Sequence, residues 1–437
     1  MMNRIMANLR KFGKIKNLHT IISKETIKPS SSTPLHLNTH NLSRIDHLAP
    51  NIHMPLVFFY QNYTNGDINI LKKSLSHSLT QYYPFAGRLL APAPVATHID
   101  CDDEGVEFVE ASIDSRIDDF ILKEDQDETF DQLIPNALGC AVDKTSTNMV
   151  AVQLSHFTCG GVAVAVVISH KVADAFTMAN FINHWATLTR GGSPINPSFF
   201  SPSMSMSTFK VPEASVVETT KIVKYAIKRF VFPNTKLNKL KKKINRMGTS
   251  PVNATRVESL TSLLFKCALG ATITKSGSLQ LSSLVQLVNL RGKTNANFPE
   301  LAPGNFYAAV VEKIKHSCQI ELNEVIINLR RERMELQQVK NEEEIYKKGI
   351  KSWMMSMDDQ IQTYVFSSIC RFPFYQVDFG WGKPARVMLR MGHSLTSFLV
   401  FMDTPSGDGI EATVRIKEEE MSIFQKDKEL HAYTRDI

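Results

Sequence analysis

The chain has six cysteines in 437 residues (Cys101, Cys140, Cys159, Cys267, Cys318 and Cys370), and they are scattered. The sequence contains no Cys-x-x-Cys pair and no Cys/His cluster. This excludes a structural zinc site or a disulfide framework and fits a reducing, cytoplasmic compartment with no bound metal. No apolar run approaches the ~18 residues that crossing a bilayer requires, so no membrane span is expected. Charge of one sign is not concentrated either. The net charge of +7 favours an anionic ligand but is too diffuse for nucleic acid. What remains, 43% hydrophobic and 21% charged, describes a globular protein. Its length exceeds one ordinary core, so two domains of roughly two hundred residues are expected.

Residues 1–20 form a basic N-terminal extension. Arg4, Arg10, Lys11, Lys14 and Lys16 precede any acid, and Leu9, Phe12 and Ile15 share a helical face. Organelle targeting is the alternative to a disordered extension. Ile21–Lys28 alternates like a strand, Leu56–Tyr60 is a second strand, and Leu71, Leu75 and Leu79 space a helix over Ile70–Thr80. Residues 193–220 are rich in Pro and Ser, with Pro194, Pro197, Pro202 and Pro212. So long a stretch suits a crossover connector better than a loop inside one unit. It divides an N-terminal domain, 21–192, from a C-terminal domain, 221–437. The second opens on the basic run Lys221–Arg246, expected as a solvated helix face; attraction of a polyphosphate ligand is the functional alternative. Thr255…Glu258 has capping-box spacing and opens a helix to Gly270. Leu284–Asn289 is a buried strand leading to Arg291, and Glu321–Gln360 reads as solvent-facing helices.

The most informative stretch is Val162–Phe176. Val162–Ile168 is continuously apolar, as in a strand buried on both faces, and Phe157–Gly161 makes it a hairpin with Met149–His156. After Asp174 the period changes: Met178, Ile182, Trp185 and Leu188 mark a helix that Gly191-Gly192 ends. Asp174 is the kind of side chain that caps such a helix. His170 therefore lies on a short turn between two rigid elements, where a scaffold holds a reactive group firmly yet exposed. His-x-x-x-Asp alone is a weak pattern, and a polar strand cap is its ordinary explanation.

Downstream, Gly380-x-Gly382-x-x-Ala385 mimics a dinucleotide fingerprint, but Pro384 and the strand-like Arg386–Leu389 forbid the helix that motif needs. Taken together, His170-Lys171-Val172-Ala173-Asp174 and Asp378-Phe379-Gly380-Trp381-Gly382 resemble the BAHD acyltransferases, plant enzymes that use coenzyme A thioesters. Ile22-Ser23-Lys24, Leu42-Ser43-Arg44-Ile45-Asp46, Tyr83–Leu89, Phe157–Gly161 and Asn289-Leu290-Arg291 extend the resemblance over roughly residues 20–437. It implies an α/β, two-domain fold like chloramphenicol acetyltransferase, each domain a mixed sheet with flanking helices and a channel between them. His170 would sit midway along that channel, with acyl-CoA entering one mouth and the acceptor alcohol the other, in a monomer. Asp174 would point away and pair with Arg291. Asp378, Gly380, Trp381 and Gly382 would shape the channel from a distance, and Thr255, Arg371 and Lys383 match the donor site. Ala175 stands where many members have Gly, as in a branch acting on alkaloid and terpenoid alcohols. Ile369 replaces a Trp common two residues before Arg371. Pro303-Gly304-Asn305-Phe306 replaces the Tyr-Phe-Gly-Asn-Cys motif of a malonylating branch, which tilts the donor toward acetyl-CoA.

A thioester is already activated, so no acyl-enzyme and no tightly bound cofactor are needed. The protein must take a proton from a hydroxyl as it attacks. A neutral imidazole does this near pH 7 and typically contributes about 10²–10⁴-fold. Ser367 or Ser368 is the candidate donor to the oxyanion. The competing expectations are a hydroxycinnamoyl- or benzoyl-CoA transferase and an esterase-like hydrolase. The hydrolase would need a nucleophile elbow, and Gly392-His393-Ser394-Leu395-Thr396 lacks the closing Gly.

Overall fold

The structure, a computed structural model, describes residues 18–63, 67–90, 97–123, 128–135, 146–199, 223–248, 251–278, 280–296, 298–314, 320–356, 361–391 and 396–435. Most of the basic extension, most of the connector and Gly392–Leu395 lie outside these. In chain order the first half forms β1 (His19–Ile27), β2 (Thr39–Asn41), α1 (Arg44–Leu48), β3 (His53–Tyr60), α2 (Ile68–Gln81), β4 (Arg88–Leu90), β5 (His98–Asp100), β6 (Val106–Ile113), α3 (Asp118–Ile121), β7 (Ser146–Asn148), β8 (Val150–Phe157), β9 (Val162–Ser169) and α4 (Ala175–Thr189). The second half forms β10 (Tyr225–Pro233), α5 (Asn234–Asn245), α6 (Arg256–Ser276), β11 (Ser282–Asn289), β12 (Tyr307–Ile314), α7 (Leu322–Gln337), α8 (Glu342–Ser356), β13 (Gln362–Ser368), β14 (Arg386–Leu389), β15 (Ser397–Asp403), β16 (Gly409–Lys417), α9 (Glu418–Phe424) and α10 (Lys428–Tyr433).

Two six-stranded mixed sheets dominate, ordered β1-β6-β8-β9-β3-β14 and β10-β16-β15-β13-β11-β12, beside a small sheet β2-β5-β4-β7. β9 is buried along its whole length because both of its faces are covered. Val162, Val164, Val166 and Ile168 pack with Leu71, Leu75, Phe181 and Trp185 of α2 and α4. Ala163 and Ala165 face Val57, Phe59, Phe120 and Phe130 on the other side. This is why the strand lacks polar alternation.

The two lobes interlock. β14 leaves the second half and pairs antiparallel with β3, Arg386 opposite Phe59. Ile369, Phe374, Val377 and Phe379 likewise pack into the first-lobe core. The second sheet divides its faces between cores: Tyr364, Phe366, Leu399 and Phe401 pack under α6, whereas Val400 and Met402 join the first-lobe core.

Two expectations are corrected. Tyr225–Pro233, within the run expected as a helix face, is a strand paired with β16. Its Ala226 and Phe230 turn to one core and Ile227 to the other, a period of two that Lys228 and Arg229 mask; the basic helix starts only after Pro233. α6 passes through Gly270 and ends at Gly277, whose φ of 75° supplies the left-handed cap. One interior glycine costs only about 1 kcal/mol, and Ala271 and Thr272 remain buried beyond it.

Candidate active site

The turn after β9 is tied down on both sides. The His170 backbone N–H donates to Ile52 O at 2.8 Å. The neighbouring Lys171 ammonium donates to the carbonyls of Asp46, His47 and Ala49 at 3.3, 3.1 and 2.7 Å, satisfying the end of α1. Asp174 then caps α4, its Oδ1 accepting from Thr177 N at 2.9 Å.

The His170 ring lies at the junction of the lobes. Its Nδ1 is 3.0 Å from Asn305 Oδ1, and the Tyr307 ring centroid is 5.7 Å away. Both partners come from the second half of the chain. The Asn305 amide nitrogen donates to His170 O at 2.7 Å and to Asp46 Oδ1 at 2.8 Å. With both amide protons used, the amide oxygen faces the ring and accepts from Nδ1–H, which leaves the lone pair on Nε2. Burial lowers the His170 pKa, outweighing its hydrogen bonds and the Asp174 charge, which favour protonation. The residue nevertheless keeps part of its surface accessible. The ring is thus held neutral, in a residue that is not fully enclosed.

Asp174 faces elsewhere. Arg291 grips it with two nitrogens, at 2.7 and 3.2 Å, and Phe306 N donates to it at 3.1 Å. Burial would raise this carboxyl, but Arg291 and the backbone donors prevail and hold it below the ordinary range. Phe176 and Phe306 flank the guanidinium, with centroids 4.7 and 4.6 Å away.

Asp378 Oδ1 accepts from Gly380 N and Gly382 N at 2.7 and 3.0 Å, and Arg190 donates to its carbonyl. Trp381 packs edge-on against Tyr63 at 4.8 Å, and Phe379 against Trp185 at 4.7 Å. This loop is pinned to the first lobe rather than to His170. Ser367 and Ser368 end β13 on opposite faces. Register places Ser367 beside Val400, on the face toward the first lobe, and Ser368 beside Phe401, on the α6 side.

Of the three donor-site candidates, two come together. Thr255 caps α6, its hydroxyl accepting from Glu258 N at 3.2 Å. Asp403 accepts from Arg371 N at 2.5 Å and lies 3.6 Å from Arg256. The Arg371 backbone and the Arg256 guanidinium therefore share the Asp403 carboxylate beside the exposed start of a 21-residue helix. Lys383 is exposed beyond the Gly382 turn and is not part of this group. A separate cavity of about 410 Å³, lined by Gly270, Ala271, Thr274, Ile423 and Lys426, touches none of these residues. Among the described residues no group of His, Cys, Asp or Glu could hold a metal, and no helix is long and apolar enough to cross a membrane. The four described cysteines are free.

Asn305 and Asp46 were given no role from sequence. Both lie in stretches compared with family motifs, Leu42–Asp46 and Pro303–Phe306, but neither stretch marks a contact with His170.

The Transferase family model matches residues 19–431. The chain is 34% identical to deacetylvindoline O-acetyltransferase of Catharanthus roseus, covering 96% of this chain and 98% of the relative. It is 32% identical to a 17,18-epoxy-17-hydroxycur-19-ene N-malonyltransferase of Strychnos nux-vomica, covering 97% and 93%. The crystal structure of vinorine synthase superposes with a TM-score of 0.77 at 29% identity, covering 95% of this chain and 98% of that one. The two-lobed fold and the full-length match agree with the motif pair, and the chain belongs to the Transferase family of BAHD acyltransferases.

Proposed function

We propose that the protein moves an acyl group, acetyl foremost, from an acyl-CoA thioester to a hydroxyl of a plant specialised metabolite, an alkaloid or terpenoid alcohol. His170 Nε2 takes the hydroxyl proton as the oxygen attacks the thioester carbonyl. The tetrahedral oxyanion is met by Ser367, which of the two serines shares the face toward the first lobe. As the intermediate collapses, the C–S bond breaks and the imidazolium returns its proton to the coenzyme A thiolate. Asp174 and the Asp378 loop serve as architecture, and Thr255 with Arg371 receives coenzyme A phosphates beside Arg256. Holding both substrates together supplies further acceleration.

The observation that supports this reading is the imidazole at the lobe junction, in a part-exposed residue, hydrogen-bonded through Nδ1 so that the Nε2 lone pair is left to accept a proton. The names of relatives include both an O-acetyltransferase and an N-malonyltransferase, so an amine acceptor is the second reading. The test is free-thiol release from acetyl-, malonyl-, benzoyl- and hydroxycinnamoyl-CoA with a plant alkaloid and terpenoid extract, followed by product mass. His170→Ala should lose at least about 10²-fold in turnover with its melting temperature nearly unchanged. Thiol release that persists in this variant would refute the base assignment.

A further inference from the structure

We infer that Asp46 is a positioning residue of the active site: by fixing which way the Asn305 amide faces, it decides which nitrogen of His170 acts as the base. This rests on the acyltransfer reading for its consequence, but not for its geometry.

Asn305 has one donor end and one acceptor end, and their order is set by its neighbours. Asp46 Oδ1 accepts from the Asn305 side chain at 2.8 Å and from its backbone N–H at 3.0 Å. The His170 carbonyl accepts the second amide proton at 2.7 Å. A carboxylate and a carbonyl only accept. Turning the amide over would set its oxygen against both of them: the His170 carbonyl would lose this donor, and Asp46 Oδ1 would keep only the Asn305 backbone N–H. The orientation shown is therefore locked, and the amide oxygen must face Nδ1. Without the Asp46 anchor the amide can turn and offer its NH₂ to the ring. Nδ1 would then accept, the proton would move to Nε2, and the nitrogen facing substrate would no longer be a base.

The second oxygen of Asp46 has a different duty. Oδ2 accepts from Ser43 N at 2.8 Å, completing the capping box of α1 with Ser43 Oγ, which accepts from Asp46 N at 3.0 Å. The cap fixes the carboxylate so that Oδ1 points at Asn305. Gly304 beside it has φ +123°, which other residues rarely adopt, and a Cβ there would stand a tight 3.3 Å from the Phe306 ring. Asp46 is buried. Its electrostatic neighbours are Lys171 on the His170 turn, His40 and His47 in the first lobe, Tyr307 on β12 and Glu342 on α8.

The test is nitrogen-15 NMR of imidazole-labelled protein without substrate, together with kinetics. Wild type should show His170 as the Nδ1–H tautomer, and Nε2–H in wild type would overturn the inference without any variant. Asp46→Asn keeps the shape but makes one end a donor. It should give a mixture containing Nε2–H, lower kcat about 10–100-fold, as loss of an outer hydrogen-bond partner does, and leave KM for acyl-CoA unchanged. Ser43→Ala removes only the hydroxyl that accepts from Asp46 N and keeps the Ser43 N–H that holds Oδ2, so it should lower the melting temperature while keeping tautomer and kcat. If folded Asp46→Asn retains the wild-type tautomer, or if Ser43→Ala loses kcat as much as Asp46→Asn does, Asp46 acts through folding alone and the inference is wrong. A correct tautomer in a protein that transfers no acyl group would sink the functional reading and leave this one standing.

Discussion

Replacing Asp174 by Asn separates architecture from chemistry. Asparagine caps a helix as well as aspartate does, so α4 keeps its start and the change falls on the ion pair. The Arg291 side chain is 2% exposed, and its other acceptors are the neutral Ala302 and Gly304 carbonyls, Asn289 Oδ1 and Thr177 Oγ1. Removing the partner charge strands a buried guanidinium, which costs about 3–5 kcal/mol. For a cooperative unit of roughly two hundred residues that is a fall of about 6–20 °C in melting temperature. Circular dichroism melts read the shift, and thiol release well below the new midpoint reads the surviving activity. Asp174→Asn/Arg291→Met should recover much of the loss, because an apolar replacement of the whole pair is near neutral. The refuting result is an Asp174→Asn protein that melts like wild type yet has lost turnover by more than about 10³-fold. The carboxylate would then belong to the chemistry despite its four hydrogen bonds elsewhere.

The His170 pKa lies below its ordinary 6.5. Acid loss of kcat/KM should therefore begin below about pH 6.5, and a limb centred above pH 7 would contradict the burial argument. Because the unfolded ring protonates first, this group should also subtract stability as pH falls from about 6.5 through the depressed value, measurable as a falling melting temperature that His170→Ala removes. Ser367→Ala should lower kcat about 10²–10³-fold while Ser368→Ala changes it less than about threefold; equal effects would refute the assignment by face.

Much of this was legible because it is local. The β8/β9 hairpin, the Asp174 cap and the Thr255…Glu258 capping box each depend on residues a few positions apart, and each stands where spacing puts it. β10 was misread because Lys228 and Arg229 hide a strand pattern that matters only once β16 lies alongside. The Asp174–Arg291 pair spans 117 positions, and no periodicity reports such a distance; only the family resemblance suggested it. Asn305 meets His170 across 135 positions and Asp46 across 259. A single asparagine carries no pattern of its own, so its role emerges only when the lobes are together.

That dependence has a physical consequence. The strip Gly304–Phe306 belongs to the second lobe, yet its backbone is held chiefly by the first. Gly304 N donates to Thr177 Oγ1 at 3.2 Å, Asn305 N to Asp46 at 3.0 Å and Phe306 N to Asp174 at 3.1 Å. Two buried carboxylates of the first lobe thus hold the one strip that orients the proposed base. A lobe separated from its partner would keep the imidazole but lose the hydrogen bond that assigns its proton. Lobe docking and completion of the base are therefore one event, which accounts for buried charge at this junction, where an apolar contact would have joined the lobes without setting a tautomer.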